Sequence, residues 1–119
     1  MAQALGDPDR VFAALADARR RELLELLANG PGVSAGGLAA VLPVSRQAVA
    51  QHLAVLEDAR LVTRRRAGRQ VLFVVRPEGL VATADWLTAR AAAWRDKAVV
   101  PARNDPRWIP ADQGKDPLL

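Results

Sequence analysis

Apolar residues run along this chain in helical stripes separated by short breaks. Val11, Phe12 and Leu15, then Leu23, Leu24, Leu26 and Leu27, recur at the three-and-four spacing that gathers side chains on one helix face. Asp7 and Asp17 stand just ahead of these stripes, where a carboxylate accepts from the open N–H groups of a first helical turn. Gly30-Pro31-Gly32 ends the pair. Ser34 is placed to cap a short helix through Val41, which Gly36 and Gly37 weaken by roughly 1 kcal/mol each relative to alanine. Packing must hold that helix. Pro43-Val44-Ser45 makes a tight connection, and Ser45 caps a longer helix with Val49, Leu53 and Leu56 on its inner face. Two helices joined this closely predict a helix-turn-helix.

The period changes from Leu61. Val71, Phe73 and Val75 alternate with Gln70, Leu72 and Val74 like the two faces of a strand, and Ala67-Gly68 supplies a hairpin turn. Beyond Pro77 helical spacing resumes, with Leu80, Ala84, Leu87, Ala91, Trp94 and Ala98 in the heptad rhythm of a helix seam. Such a stripe either packs on its own domain or pairs with a second chain. From Val99 on, Pro101, Pro106, Pro110 and Pro117 forbid a continuing helix, leaving Trp108 and Ile109 in an irregular tail. The expected organisation is one domain over 1–98 followed by a proline-rich tail over 99–119. There is no internal repeat.

Half of the 119 residues are hydrophobic, enough for one modest core. The balance of 17 Lys+Arg against 13 Asp+Glu leaves +4, with a sequence pI of about 10.9. That favours an anionic partner, either nucleic acid or an anionic membrane face. No apolar run is long enough to span a bilayer, and Met1 to Asp9 lacks a signal peptide's basic end and hydrophobic stretch, so a cytoplasmic protein without membrane contact is expected. The absence of cysteine excludes a disulfide framework, a thiolate metal site and a thiol switch.

The chemistry concentrates at two places. Ser45, Arg46, Gln47 and Gln51 lie at the polar N-terminal turns of the second helix of the helix-turn-helix. Arginine binds guanine O6 and N7 in pairs, glutamine matches adenine N6 and N7, and a serine hydroxyl reaches a phosphate or a base. The plain alternative is a solvated helix face. His52, on the same helix, reads as a packed or phosphate-contacting histidine, since it has neither nucleophile nor metal partner. Then Arg60, Arg64, Arg65, Arg66, Arg69 and Arg76 follow without an intervening acid, four of them around the hairpin turn. Beside a recognition helix such a tip meets a minor groove or its phosphates. Edge-strand protection would work equally well with mixed signs. Arg19, Arg20 and Arg21 form a second run, read as a solvated face with Glu22 and Glu25 near enough to pair. Paired carboxylates, a nucleophile with its base, a phosphate loop and a metal cluster are all missing, so an enzyme is not expected.

The segment Leu38 to Val62, LAAVLPVSRQAVAQHLAVLEDARLV, resembles the ArsR family of winged-helix regulators. The family's version runs helix, turn, Ser-x-x-x-Val-x-x-His-Leu-x-x-Leu, then an acidic residue and Gly-Leu-Val. The resemblance spans about Asp7 to Lys97, and Asp85-Trp86-Leu87 with Trp94 is similar to members that end in a tryptophan-bearing dimer helix. It implies a mainly α (α+β) winged helix-turn-helix with a two-stranded hairpin wing and a C-terminal dimerisation helix. It further implies a homodimer on a pseudo-palindromic operator in double-stranded DNA, usually as a repressor. The DNA-binding set would be Ser45, Arg46, Gln47, Gln51, His52, Arg64, Arg65, Arg66 and Arg69. The dimer surface would be Val11, Phe12, Leu15, Leu80, Ala84, Leu87, Ala91 and Trp94. Many relatives release DNA on binding a metal. Here the relatives' cysteine-containing stretch corresponds to Ser34-Ala35-Gly36-Gly37-Leu38, and the position two beyond Asp85 is Leu87 rather than histidine, so no metal or other cofactor is expected and any effector is unspecified. Arg60 stands where the family has glycine: either it takes a left-handed conformation or the helix ends differently. The alternative function is a winged helix that binds an acidic protein.

Overall fold

The computed structural model describes residues 7–97, so Ala98 and the proline-rich tail lie outside the described residues. Four helices open on the caps expected of them. Asp7 accepts from the N–H of Asp9 at 2.9 Å ahead of α1 (Pro8–Leu15), and Asp17 from Arg19 at 2.8 Å and Arg20 at 3.3 Å ahead of α2 (Ala18–Leu27). Ser34 Oγ accepts from Gly37 ahead of α3 (Ala35–Val41), and Ser45 Oγ from Ala48 ahead of α4 (Arg46–Asp58), each at 3.0 Å. Each bond satisfies a donor that the first turn leaves without a helical partner.

Strands β1 (Val62–Ala67) and β2 (Gln70–Val75) pair antiparallel from Val62↔Val75 to Ala67↔Gln70. Gly68 and Arg69 form the two-residue turn. Gly68 takes φ +64° while Arg69 does not go positive, the II′ pattern that matches the twist of a hairpin. The chain closes with α5 (Glu78–Lys97). No described helix is long and apolar enough to cross a membrane.

The core joins α1 to α4 with the root of the hairpin: Val11, Leu23, Leu27, Leu38, Val49, Leu53, Leu56 and Leu61 are fully buried. Leu38 therefore anchors the glycine-weakened α3. The expectation that Val11 lies on a dimer surface does not hold. With no exposed area, it is enclosed by its own chain and cannot reach a partner. The chain divides into two compact units between Trp86 and Leu87, part-way along α5. In the first unit Gly79 and Thr83 are buried, Leu80 packs against the core, and Phe12 and Trp86 meet edge to face at 6.0 Å. In the second, Leu87, Ala91 and Trp94 are exposed, as is Ala84 before them.

Two details set the wing. Helix α4 ends with Arg60 at φ +62°; the Arg60 N–H bonds Glu57 O at 3.0 Å and the Leu61 N–H bonds Leu56 O at 2.9 Å, a Schellman closure that the buried pair Leu56 and Leu61 reinforces. Arginine thus takes the left-handed option. Val33 forms an isolated bridge to Phe73, each N–H donating to the other's carbonyl at 3.2 and 2.9 Å. Gly32, at φ +131°, makes this approach feasible, because a Cβ there would lie 3.1 Å from Leu72 Cβ and 3.2 Å from Val74 Cγ2. Leu72 and Val74, which alternation alone would leave facing outward, are half-buried as a result.

Candidate nucleic-acid interface

Helix α4 is two-faced. Val49, Leu53 and Leu56 are buried, whereas Ser45, Arg46, Gln47 and Gln51 are exposed. The helical period puts 47 and 51 opposite the 49, 53, 56 stripe, whereas 46, three residues before Val49, lies beside that stripe and is exposed because it opens the helix. A cavity of about 420 Å³ opens between α4 and the hairpin, with Arg46, Arg64 and Arg69 on its polar side and Ala50, Ala54 and Phe73 on its apolar side. It brings the first turn of α4 and the wing, distant in sequence, to one concave surface. The Arg46 guanidinium leans over α3, its Cζ 3.8 Å from where a Gly36 Cβ would sit.

The wing arginines are not equivalent. No acid neighbours them along the chain, but Arg64 Nε donates to both carboxylate oxygens of Glu57 at 3.0 Å, and its guanidinium stands 5.5 Å from the Phe73 ring centroid. The turn at Arg60 folds the end of α4 back beside β1, which places Glu57 there. Arg65 donates to the carbonyl of Pro31 at 2.8 Å, bracing the wing. Arg66 and Arg69 are exposed and, like Arg46, have no partner among the described residues. Their charge is left for an external anion.

The second basic run is built in rather than simply solvated. Arg19 pairs with Glu22 at 2.6 Å, and Arg21 donates to Leu15 O at 2.7 Å. Arg20 donates to the carbonyls of Ala14 at 2.8 Å and Ala13 at 3.0 Å, capping the end of α1, and lies 3.4 Å from Nδ1 of His52. Desolvation raises the Asp17 carboxyl, but the N–H groups of Arg20 and Arg19 and the charge of Arg20 outweigh it and hold the group below its ordinary value. Sequence reasoning missed the Arg20 clamp and the Glu57 pair because nothing in residue type marks which arginine of a run turns inward.

Residues 15–70 match a model described as MarR family. HTH-type transcriptional regulator Rv2034 of Mycobacterium tuberculosis is 53% identical over 75 residues, which are 63% of this chain and 69% of that protein. The chain belongs to the winged helix-turn-helix transcriptional regulators. As a member of that family it is a DNA-binding protein, and its hairpin forms the wing of that fold. Among solved structures, an ArsR-like transcriptional regulator from Rhodococcus sp. RHA1 superposes with a TM-score of 0.72 at 38% identity, covering 76% of this chain and 85% of that one. The transcriptional repressor SdpR of Bacillus subtilis is 28% identical over 79 residues, 66% of this chain and 87% of that protein.

Proposed function

We propose that this regulator is an ArsR-type repressor that binds a pseudo-palindromic operator as a homodimer, with the first turns of α4 in the major groove and the wing tip along the flanking backbone. The observation that carries the reading is the division at the start of α4, where Ser45, Arg46, Gln47 and Gln51 are exposed and Arg46 shares one concave surface with Arg69 of the wing. In this reading Arg46, Gln47 and Gln51 contact base edges, and Ser45, His52, Arg66 and Arg69 contact phosphates. Arg64 and Arg65, tied to Glu57 and Pro31, hold the wing in place more than they grip DNA. The likeness to an ArsR-like regulator and to a named repressor supports the subfamily and the sign of regulation. Dimerisation uses Phe12, Leu15, Leu80, Ala84, Leu87, Ala91 and Trp94, supported by the exposure of Leu87 at 47% and Trp94 at 61% in the single chain. Such a protein works in the cytoplasm, carries out no reaction and needs no cofactor.

The test is an operator selected from random duplexes, titrated by fluorescence anisotropy against a scrambled duplex. Arg46→Ala and Gln47→Ala should each narrow the preference for operator by about 1–3 kcal/mol, the worth of a good bidentate base contact, with circular dichroism unchanged. Full discrimination in both variants would remove these side chains as readers. Failure of the wild-type protein to bind any duplex at low salt would leave the acidic-protein alternative.

A further inference from the structure

The one histidine of the chain is held beside a mostly buried guanidinium. Arg20 is mostly buried, with 17% of its side chain exposed, and its guanidinium points inward onto Ala13 O, Ala14 O and His52 Nδ1, with Asp17 Oδ2 at 3.8 Å. A guanidinium only donates. In the neutral imidazole the 3.4 Å contact then makes Nδ1 the acceptor and leaves the ring hydrogen on Nε2. Nε2 has no hydrogen-bond partner among the described residues. His52 is only half-buried, and no buried side-chain nitrogen among the described residues lacks a partner, so Nε2 reaches solvent. The clamp thus presents an oriented, uncharged N–H donor on α4.

Position identifies the acceptor. Along α4, His52 falls one residue beyond Gln51 and one turn beyond Ala48, on the flank that faces α2 rather than on the crest formed by Gln47 and Gln51. With the crest in a major groove, a half-buried flank residue meets the groove's edge, where phosphate oxygens lie. We infer that Arg20 is a positioning residue which locks His52 in the Nε2–H form, and that this N–H donates to a backbone phosphate oxygen of bound DNA. The second half rests on the DNA-binding reading above; the first half does not.

Two measurements separate the halves. Nitrogen-15 NMR of the free protein in mildly alkaline buffer, where free imidazole is neutral, should show His52 as a single Nε2–H tautomer with Nδ1 as an acceptor nitrogen. Arg20→Gln should relax it to the mixture of a free imidazole. An Nδ1–H form, or a spectrum indifferent to Arg20→Gln, overturns the lock. Should Arg20→Gln fail to fold, the wild-type spectrum and the His52 variants still decide. His52→Gln, whose amide N–H replaces Nε2–H, should keep DNA affinity within about twofold, whereas His52→Ala should weaken it about tenfold on operator and random duplexes alike. Because a neutral donor displaces no counterion, the slope of log affinity against log salt should not change. Unaltered affinity in His52→Ala overturns the donor role. A wild-type protein that binds no duplex overturns that role together with the DNA reading, while the NMR result still stands on its own.

Discussion

A left-handed backbone at a residue with a Cβ costs about 1–2 kcal/mol, and Arg60 bears that cost at the end of α4. Glycine there would relieve it and forfeit part of the gain to the greater freedom of the unfolded chain. Arg60→Gly should therefore stabilise the protein by about 0.5–1 kcal/mol, seen as a higher urea midpoint at unchanged slope. Asp17 gives a pH signature. Its carboxyl titrates below its ordinary value of 3.8, so its charge contributes stability above that pH, and the contribution disappears as pH falls through the lower folded value. Asp17→Asn retains a capping oxygen without the charge. The variant should be less stable than wild type at neutral pH, with the gap closing below pH 3.8 in paired denaturation curves. Caps such as Asp7, Asp17, Ser34 and Ser45 are legible in the sequence because cap and donor are two or three residues apart. The Arg60 departure is legible too, but its resolution depends on Leu56 and Leu61 packing together, which is a tertiary fact.

Among the elements, the wing carries the sharpest expectation. Arg66→Ala and Arg69→Ala together should weaken binding to operator and random duplex by similar factors. They should also flatten the salt dependence by about one for each phosphate that a protomer no longer neutralises. Salt titration of both variants on two duplexes checks this. An unchanged slope would take the wing off the backbone, and a weakening confined to operator would make these arginines minor-groove readers. The turn falls on Gly68-Arg69, one residue later than Ala67-Gly68, because Ala67 still pairs with Gln70. Hairpin and helix order follow from local period. Three features do not: Val33 pairing with Phe73, Glu57 with Arg64, and Arg20 with His52 join residues up to 40 apart and leave no periodic trace. The candidate site is thus legible as a set of residues. Its division into free and engaged arginines is not, because a cation looks the same in sequence whether or not the fold gives it a partner.

For the molecule as a whole, the exposed stripe of α5 predicts association. Leu87→Asp combined with Trp94→Asp should shift sedimentation at micromolar concentration from dimer to monomer while leaving the helical circular dichroism of each chain in place, since both side chains are exposed in the single chain. A wild-type protein that sediments as a monomer in moderate salt would refute the dimer. The bridge between Val33 and Phe73 has a final consequence on the DNA-binding reading. It clamps the hairpin to the block that holds α4, while the tip at Gly68 opens to space, since a Cβ there would meet nothing within 4 Å. The protein then works as a caliper whose gauge is set before it meets DNA, and the duplex must come to that gauge. Sequences whose grooves already have the required width, or yield to it cheaply, are favoured at base pairs that no side chain touches.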